Sequence, residues 1–214
     1  MATRVIAVRH GETDWNRATR MQGHLDVPLN EKGIWQAQQL AQVMAAMPLV
    51  AIYTSDLSRA HVTAQAISSV HPQVPVVPMR GLRERCFGAF EGYTFAENEL
   101  RDPAGAALWK TRDIAYAPPG GESLVDLDAR VSEAMDFLAA SHPERTVALV
   151  AHGGVLDILY RRANGLNLEA PRAWDLTNTA INTLEWTAPG EWNVIEWGNV
   201  HHLSASEVLD EKNF

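Results

Sequence analysis

Short apolar runs alternate with longer amphipathic stretches along most of the chain. Residues 3–8 form an apolar, partly β-branched run, which predicts a strand buried on both faces. Apolar positions at helical spacing then predict an amphipathic helix over residues 31–47, which Pro48 helps to end. Residues 50–53 predict a second strand, and residues 57–70 predict a second helix. This alternation is typical of an α/β fold.

Turn and cap residues divide the middle of the chain. Thr54, Ser55 and Asp56 precede the second predicted helix and are of the types that cap helix N-termini. Residues 74–77 predict a third strand, and the flanking prolines indicate the edge of a sheet. Between residues 80 and 122 the periodicity weakens into short helical pieces with aromatic residues and glycines. We expect residues 80–122 to be an excursion from the sheet that shapes the outer part of a pocket.

The pattern sharpens again at Ser123, which has the spacing of a capping box with Asp126. The remaining runs predict a helix over residues 123–140, a strand over 146–151, a helix ending near 164, and strands over 180–186 and 192–197. Pro189 and Gly190 separate the last two strands, which therefore predict an antiparallel pair.

Together these elements predict a single α/β domain over residues 1–214, with a tail from about residue 200. Strands connected through helices form right-handed crossovers, so the central sheet should be mostly parallel with helices on both faces. The last two strands should add an antiparallel hairpin at the C-terminal end. Because ligands of such sheets bind beyond the carboxyl ends of the strands, candidate site residues should follow strands directly.

Composition and charge limit the classes of function. Hydrophobic residues make up 46% of the chain and charged residues 21%, as in ordinary globular proteins. The formal net charge of -8 argues against a nucleic-acid partner, because such binding relies on basic patches. The single cysteine, Cys86, excludes an internal disulfide and favours a reducing, cytoplasmic location. Because no apolar stretch reaches the ~20 residues that span a bilayer, we expect no membrane association.

Two histidines each follow a predicted strand and precede a glycine. His10 comes after residues 3–8 and His152 after residues 146–151, so both should project from the same sheet edge. A neutral imidazole with one bare nitrogen is a good nucleophile toward phosphorus. We therefore predict that His10 is the nucleophile. His152 would donate to the transferring phosphoryl oxygens from the opposite side.

Phosphoryl transfer also needs positive charge around the equatorial oxygens and a proton for the leaving oxygen. Planar arginines supply such charge, and Arg9 and Arg59 are the candidates. Glu84 is the candidate acid for the leaving alkoxide. Further donors are the side-chain amide of Asn16 and the backbone amides near Gly11, Gly23 and Gly153.

Rival chemistries lack the residues that they require. A cysteine-loop phosphatase with Cys86 would need an arginine at the position of Gly92. Asp126 and Asp128 have the spacing of an aspartyl-phosphate phosphatase, but they lie in a predicted helix rather than after a strand. The histidine pair at residues 201–202 has no acidic or cysteine partner at ligand spacing. We predict no metal site.

Several sequence blocks resemble, in order, those of the histidine phosphatase superfamily, which contains cofactor-dependent phosphoglycerate mutases and related phosphatases. These blocks are RHGETDWN (residues 9–16), PLNEKG (28–33), YTSDLSRA (53–60), LRE and FGAFEG (82–84 and 87–92), GGES (120–123) and VAHGG (150–154). They span most of the chain to about residue 160.

The resemblance implies a phosphoglycerate mutase-like fold and a phosphohistidine intermediate. It makes His10 the phosphorylated residue and Glu84 the acid. It also implies that the phosphate is surrounded by Arg9, Arg59 and His152, with further substrate contacts from Asn16, Gln22 and Gly23.

The resemblance leaves the fate of the phosphoryl group open. We expect a phosphatase that acts on a small phosphorylated metabolite and needs no cofactor. The alternatives are a 2,3-bisphosphoglycerate-dependent phosphoglycerate mutase and, more distantly, a non-catalytic phosphate-binding protein. A mutase must hold a second anionic group and exclude water, whereas the aromatic and acidic residues 87–91 favour an open, less cationic outer pocket. Arg85, Lys110 and Arg112 would supply some positive charge to this outer pocket. The oligomeric state is open, with a homodimer among the arrangements allowed.

Overall fold

A computed structural model describes residues 2–203 of the 214-residue chain. In chain order the elements are β1 (Thr3–Arg9), α1 (Asp14–Arg17), α2 (Glu31–Met44), β2 (Leu49–Thr54), α3 (Ser58–Ser69), β3 (Val76–Pro78), α4 (Phe95–Arg101), α5 (Pro103–Lys110), α6 (Leu124–Ala140), β4 (Thr146–Ala151), α7 (Gly153–Ala163), β5 (Ile181–Ala188) and β6 (Glu191–Asn199). Single turns of 3₁₀ helix occur at Arg80–Leu82 and Gly88–Phe90.

The strands form one six-stranded sheet in the order β3-β2-β4-β1-β5-β6. The first four strands in this order are parallel, whereas β5 runs antiparallel to both β1 and β6. The predicted α/β class, mostly parallel sheet and C-terminal hairpin are confirmed. The third strand lies at the sheet edge, as its prolines indicated. Because β5 is antiparallel to β1, the chain just before β5 lies at the edge where β1 ends.

Helices cover both faces of the sheet. Alternate side chains of β1 enter two different apolar clusters, Val5 and Ala7 on one face and Ile6 and Val8 on the other. Helices α6 and α7 pack on the first face, and α2 and α3 pack on the second. This two-sided burial explains why residues 5–8 of β1 form a continuous apolar run.

The excursion over residues 80–122 contains α4 and α5 and adds no strand to the sheet. Its aromatic side chains pack together, with ring centroids 5.3 Å apart for Phe87 and Trp109 and 6.4 Å apart for Phe90 and Tyr116. This cluster gives the segment an apolar centre of its own beside the site described below.

Two local predictions were wrong. Helix α2 ends at Met44 rather than at residue 47, since the chain turns there before β2. Residues 54–56 do not cap α3, whose N-cap is Leu57 with no side-chain hydrogen bond. Asp56 instead accepts two 2.7 Å hydrogen bonds from Arg83, which fastens the excursion to the end of β2.

The start of α6 agrees with the sequence prediction. Ser123 and Asp126 form the predicted capping box at the start of α6. Most of the predicted tail, from residue 204 onward, lies outside the described residues. Among the helices that are described, none combines the length and apolar character needed to cross a bilayer.

Candidate active site

Two buried histidine rings meet at the carboxyl edge of the central strands. His10 directly follows β1 and His152 directly follows β4, and these strands are hydrogen-bonded neighbours. The ring centroids lie 5.1 Å apart at an interplanar angle of 60°. The structure thus brings the two predicted histidines together, and we call the space around them, with Arg9 and Arg59, the predicted phosphate pocket.

The orientation of the His10 ring is set by a backbone contact. Its Nδ1 lies 2.7 Å from the carbonyl oxygen of Gly11. Since a carbonyl only accepts, Nδ1 carries the proton and Nε2 is left bare. Burial, and then the charges of Arg59 and Arg9, hold the pKa of His10 well below its ordinary value of 6.5. The ring is therefore neutral at pH 7 and carries the lone pair that a nucleophile needs.

Both ring nitrogens of His152 are buried. Within residues 2–203, neither Nδ1 nor Nε2 has a hydrogen-bond partner. Burial first, followed by the charges of Arg59, His10 and Arg9, lowers the pKa of His152 well below 6.5. A buried polar atom without a partner is unfavourable, so its presence marks a position where a ligand can supply the missing bond.

Backbone carbonyls orient the two predicted arginines. Arg59, at the start of α3, donates to the carbonyls of Gly23 at 2.8 Å and Leu25 at 2.9 Å. Arg9, at the end of β1, donates to the carbonyl of Leu176 at 2.6 Å. Both side chains are buried. A carbonyl fixes a guanidinium without cancelling its charge, which suits recognition of a phosphate.

The loop that holds Arg59 requires a glycine at position 23. Gly23 has a φ of +52°, and a Cβ there would lie 2.0 Å from Oε1 of Glu91. The same Oε1 accepts hydrogen bonds of 2.9 Å from the amides of His24 and Phe87. Gly23 thus contributes its carbonyl and its conformation. The adjacent Gln22 is buried, and its Oε1 has no partner among the described residues.

Glu84 reaches the N-terminus of α7 from the excursion. Its Oε1 accepts hydrogen bonds from the amides of Arg85 at 2.8 Å and Gly154 at 3.0 Å, and Oε2 lies 3.2 Å from the latter. A Cβ at position 154 would lie 2.3 Å from Oε1. The carboxyl group is therefore held at the N-terminus of α7, two residues after His152. Gly153 lines the same cavity as Glu84.

Asn16 is engaged locally. Its Oδ1 accepts hydrogen bonds of 3.0 Å from both the amide and the hydroxyl of Thr13. The Asn16 amide donates to Oγ1 of Thr13 at 3.1 Å, which completes the capping box of α1. The side-chain hydrogen bonds of Asn16 thus run to Thr13 rather than to other predicted site residues. Capping uses only its oxygen, so the NH₂ group can still serve as the donor that the sequence suggested.

A cavity of about 120 Å³ adjoins Glu84 and Gly153, and we call it the outer cavity. Its lining includes two aromatic residues and three arginines: Phe87, Trp109, Arg85, Arg112 and Arg172. A neighbouring space of about 350 Å³ shares Arg85, Trp109, Arg112, Leu124 and Arg172 with it and also contains Lys110.

Arg172, from a distant loop, joins Arg85 and Arg112 in the lining of the outer cavity, which the acidic residues Glu84 and Asp157 also line. The guanidinium of Arg85 lies 4.3 Å from the ring centroid of Trp109. Desolvation, and then repulsion from Arg112, lowers the pKa of Arg85 to about 10. Arg112 is paired with Asp157 at 2.5 Å.

The sequence did not indicate that Asn178 contacts His10. Its side chain is fully buried and donates a 2.8 Å hydrogen bond to the carbonyl of His10, while the amide of Thr179 donates to the carbonyl of Arg9 at 3.0 Å. Asn178 thus supports the backbone that carries His10. The available signal was the polar run before the hairpin, since pairing β5 antiparallel to β1 brings that run to the active edge.

The acidic residues of the rejected aspartyl-phosphate mechanism have structural roles. Asp126 caps α6, and Asp128 forms a bidentate pair with Arg162 at 2.7 and 2.6 Å. Within residues 2–203 no group of three or more histidine, cysteine or acidic side chains is arranged to hold a metal ion.

Known proteins resemble this chain in both sequence and structure. Residues 5–200 match the model of the histidine phosphatase superfamily (branch 1). The chain is 40% identical to glucosyl-3-phosphoglycerate phosphatase of Mycobacterium tuberculosis, covering 97% of this chain and 99% of that protein. It is 35% identical to a metal-independent phosphoserine phosphatase of Arabidopsis thaliana, covering 97% and 86% respectively. The solved structure of Bacillus stearothermophilus YhfR superposes with a TM-score of 0.85 at 32% identity, covering 94% of this chain and all of that one.

Proposed function

This chain belongs to the histidine phosphatase superfamily, and from that membership we propose that it hydrolyses a small phosphomonoester through a phosphohistidine at His10. The observation that carries the proposal is the 2.7 Å hydrogen bond between His10 Nδ1 and the Gly11 carbonyl. That bond leaves Nε2 unprotonated beside Arg9 and Arg59, where a phosphate dianion is attracted.

In the first step, Nε2 of His10 attacks phosphorus and the bond to the ester oxygen breaks. Arg9 and Arg59 bind the equatorial oxygens, and His152 supplies a further hydrogen bond to them. Glu84 gives its proton to the leaving oxygen, so that the product departs as an alcohol rather than as an alkoxide.

In the second step, water attacks the phosphohistidine and the nitrogen–phosphorus bond breaks. The Glu84 carboxylate accepts a proton from that water, which restores the acid for the next turnover. Inorganic phosphate leaves, and His10 returns to its neutral form. The protein groups alone supply every proton transfer in this sequence.

We further propose that the leaving group of the substrate carries a second anionic group, such as a carboxylate. Arg85, Arg112 and Arg172 line the outer cavity next to Glu84, where a leaving group would extend. A buried guanidinium is stabilised by an anion that reaches it. The relatives are named for phosphoserine and glucosyl-3-phosphoglycerate, both of which are phosphate esters with a carboxylate.

The same arginines favour one second candidate, a phosphoglycerate mutase, because a mutase must hold a bisphosphorylated intermediate. Incubation with 3-phosphoglycerate, with and without 2,3-bisphosphoglycerate, distinguishes the two. With the bisphosphate at a small fraction of the 3-phosphoglycerate concentration, we expect inorganic phosphate to accumulate at nearly the same rate in both samples, with no more 2-phosphoglycerate than hydrolysis of the added bisphosphate could yield. The His10→Ala variant provides the background rate. Rapid isomerisation that depends on the bisphosphate, with little phosphate released, would establish the mutase instead.

Metal chelation and a transition-state mimic test the chemistry independently of the substrate. We expect EDTA to leave hydrolysis of p-nitrophenyl phosphate unchanged, because the proposed steps use only side chains. Vanadate should inhibit reversibly, because its five-coordinate form matches phosphorus between His10 and the leaving oxygen. Activity that is lost in EDTA and restored by a divalent cation would identify a metal-dependent hydrolase.

A further inference from the structure

The backbone that carries Glu84 has no strand or helix to hold it. The chain from Arg83 to Phe87 lies between two 3₁₀ turns, at Arg80–Leu82 and Gly88–Phe90. Its backbone polar groups need partners outside regular secondary structure. The position of the Glu84 carboxyl group therefore depends on whatever supplies those partners.

Arg130, on α6, binds two carbonyls of this segment and one in the turn before it. Its Nη1 donates to the carbonyls of Gly81 at 2.9 Å and Arg83 at 3.0 Å. Its Nη2 donates to the carbonyl of Glu84 at 3.2 Å. A planar guanidinium with five N–H donors can serve several acceptors at once, which the point charge of a lysine cannot reproduce.

Glu122 binds the backbone on the C-terminal side of Glu84. Its carboxylate pairs with Arg130 through two 2.8 Å hydrogen bonds, from Nε and from Nη2. The same carboxylate accepts from the amide of Cys86 at 2.9 Å, and the Glu122 amide donates to the carbonyl of Cys86 at 2.8 Å. The Arg130–Glu122 pair, which we call the clamp, thus fixes the backbone both before and after Glu84.

The clamp lies outside the spaces where substrate would bind. Neither Arg130 nor Glu122 lines the outer cavity or its neighbour. Both side chains are only about one-fifth exposed, so their hydrogen bonds are partly shielded from water. Any effect of the clamp on the reaction must therefore pass through the residues that it holds.

We propose that the clamp is a positioning device for Glu84, which sets the distance between its carboxyl group and the leaving oxygen. This proposal rests on the acid role of Glu84 in the proposed function. The clamp should then affect proton transfer to the leaving group and leave phosphate binding and nucleophilic attack intact. A pair that only stabilised the fold would lower turnover of all substrates alike.

The experiment measures single-turnover phosphorylation with two substrates that differ in their need for a proton. Glycerol 2-phosphate has a poor leaving group, whereas p-nitrophenyl phosphate releases a stable phenolate unaided. We expect Arg130→Met to slow the first substrate about 10- to 100-fold, as displacement of a catalytic group by about 1 Å does, and to slow the second less than about 3-fold. Arg130→Lys should restore little of the lost rate.

A double variant shows whether Arg130 acts through Glu84. In a Glu84→Gln background, Arg130→Met should cause no further loss with glycerol 2-phosphate, because the group that it positions is already absent. Arg162→Met is the matched control. It breaks the bidentate pair with Asp128, which also involves α6, without touching residues 81–86, and it should leave both rates unchanged.

Three outcomes decide between the readings. Equal losses on both substrates, or losses that simply add to those of Glu84→Gln, would overturn the positioning role. If Arg130→Met does not fold, as judged by circular dichroism, Glu122→Gln keeps an acceptor for the Cys86 amide and is read by the same two substrates. Equal losses in Glu84→Gln alone would overturn the acid role and the clamp with it, and that result is recognisable without any Arg130 variant.

Discussion

Replacing His10 by alanine should abolish phosphatase activity, with a loss of about 10⁴-fold or more, because the group that accepts the phosphoryl group is gone. The fold should persist. The His10 side chain belongs to neither apolar cluster, and its ring makes one described hydrogen bond, to the neighbouring Gly11 carbonyl. Phosphate release measures the activity, and thermal unfolding followed by circular dichroism measures the fold.

A matched control separates the loss of a nucleophile from the loss of a histidine. His71 also contacts a single backbone carbonyl through its ring, that of Met44 at 3.0 Å, and it lies just beyond α3 away from the predicted phosphate pocket. His71→Ala should keep wild-type turnover. Acid-labile radioactive phosphate should be trapped on the wild-type chain and absent from His10→Ala. Wild-type turnover in that variant, or labelling transferred to His152, would refute His10 as the nucleophile.

Much of the fold was accessible from the sequence because buried strands and amphipathic helices leave a periodic pattern. Residues 5–8 of β1 are all apolar because α2 and α3 pack on one face and α6 and α7 on the other. Errors arose where tertiary contacts replace local signals. Asp56 has the chemistry of a helix cap, yet its carboxylate is engaged by Arg83, which the sequence could not indicate.

The centre of the candidate site was predictable for a topological reason. In a parallel sheet, residues that directly follow neighbouring strands meet at one edge, so His10 and His152 could be brought together from their positions alone. The contact between Asn178 and His10 was missed because Asn178 precedes a strand. It reaches His10 only because β5 is antiparallel to β1. The order of the strands in the sheet cannot be predicted from any local sequence pattern.

The outer part of the site was less predictable, since it is assembled from distant loops. Arg172 and Leu176 come from the segment before β5, whereas Phe87 and Trp109 come from the excursion. Arg85, Arg112 and Arg172 come from parts of the chain that share no periodic sequence pattern, so their clustering could not be predicted. The sequence therefore did not indicate that Arg172 lines the same cavity as Glu84.

The largest substrate-dependent effect should come from Glu84→Gln. Glutamine has nearly the same shape, and its oxygen can still accept from the amides of Arg85 and Gly154, so the segment should keep its position. It has no proton to give to an alkoxide. We expect single-turnover phosphorylation from glycerol 2-phosphate to fall about 10²- to 10³-fold, within the range typical of general acid catalysis. The rate from p-nitrophenyl phosphate should change less than about 3-fold.

Single-turnover measurement is essential because Glu84 is also proposed to activate water in the second step, which is common to all substrates. Steady-state turnover of p-nitrophenyl phosphate should therefore fall in Glu84→Gln even though its first step is fast, and a burst of nitrophenolate equal to the enzyme concentration should appear. Glu185→Gln, which alters only a surface pair with Arg4, is the control and should show wild-type rates. Equal slowing of the two first steps would mean that Glu84 positions the substrate and does not protonate the leaving oxygen. A selective first-step loss together with the burst would assign both proton transfers to the same carboxyl group.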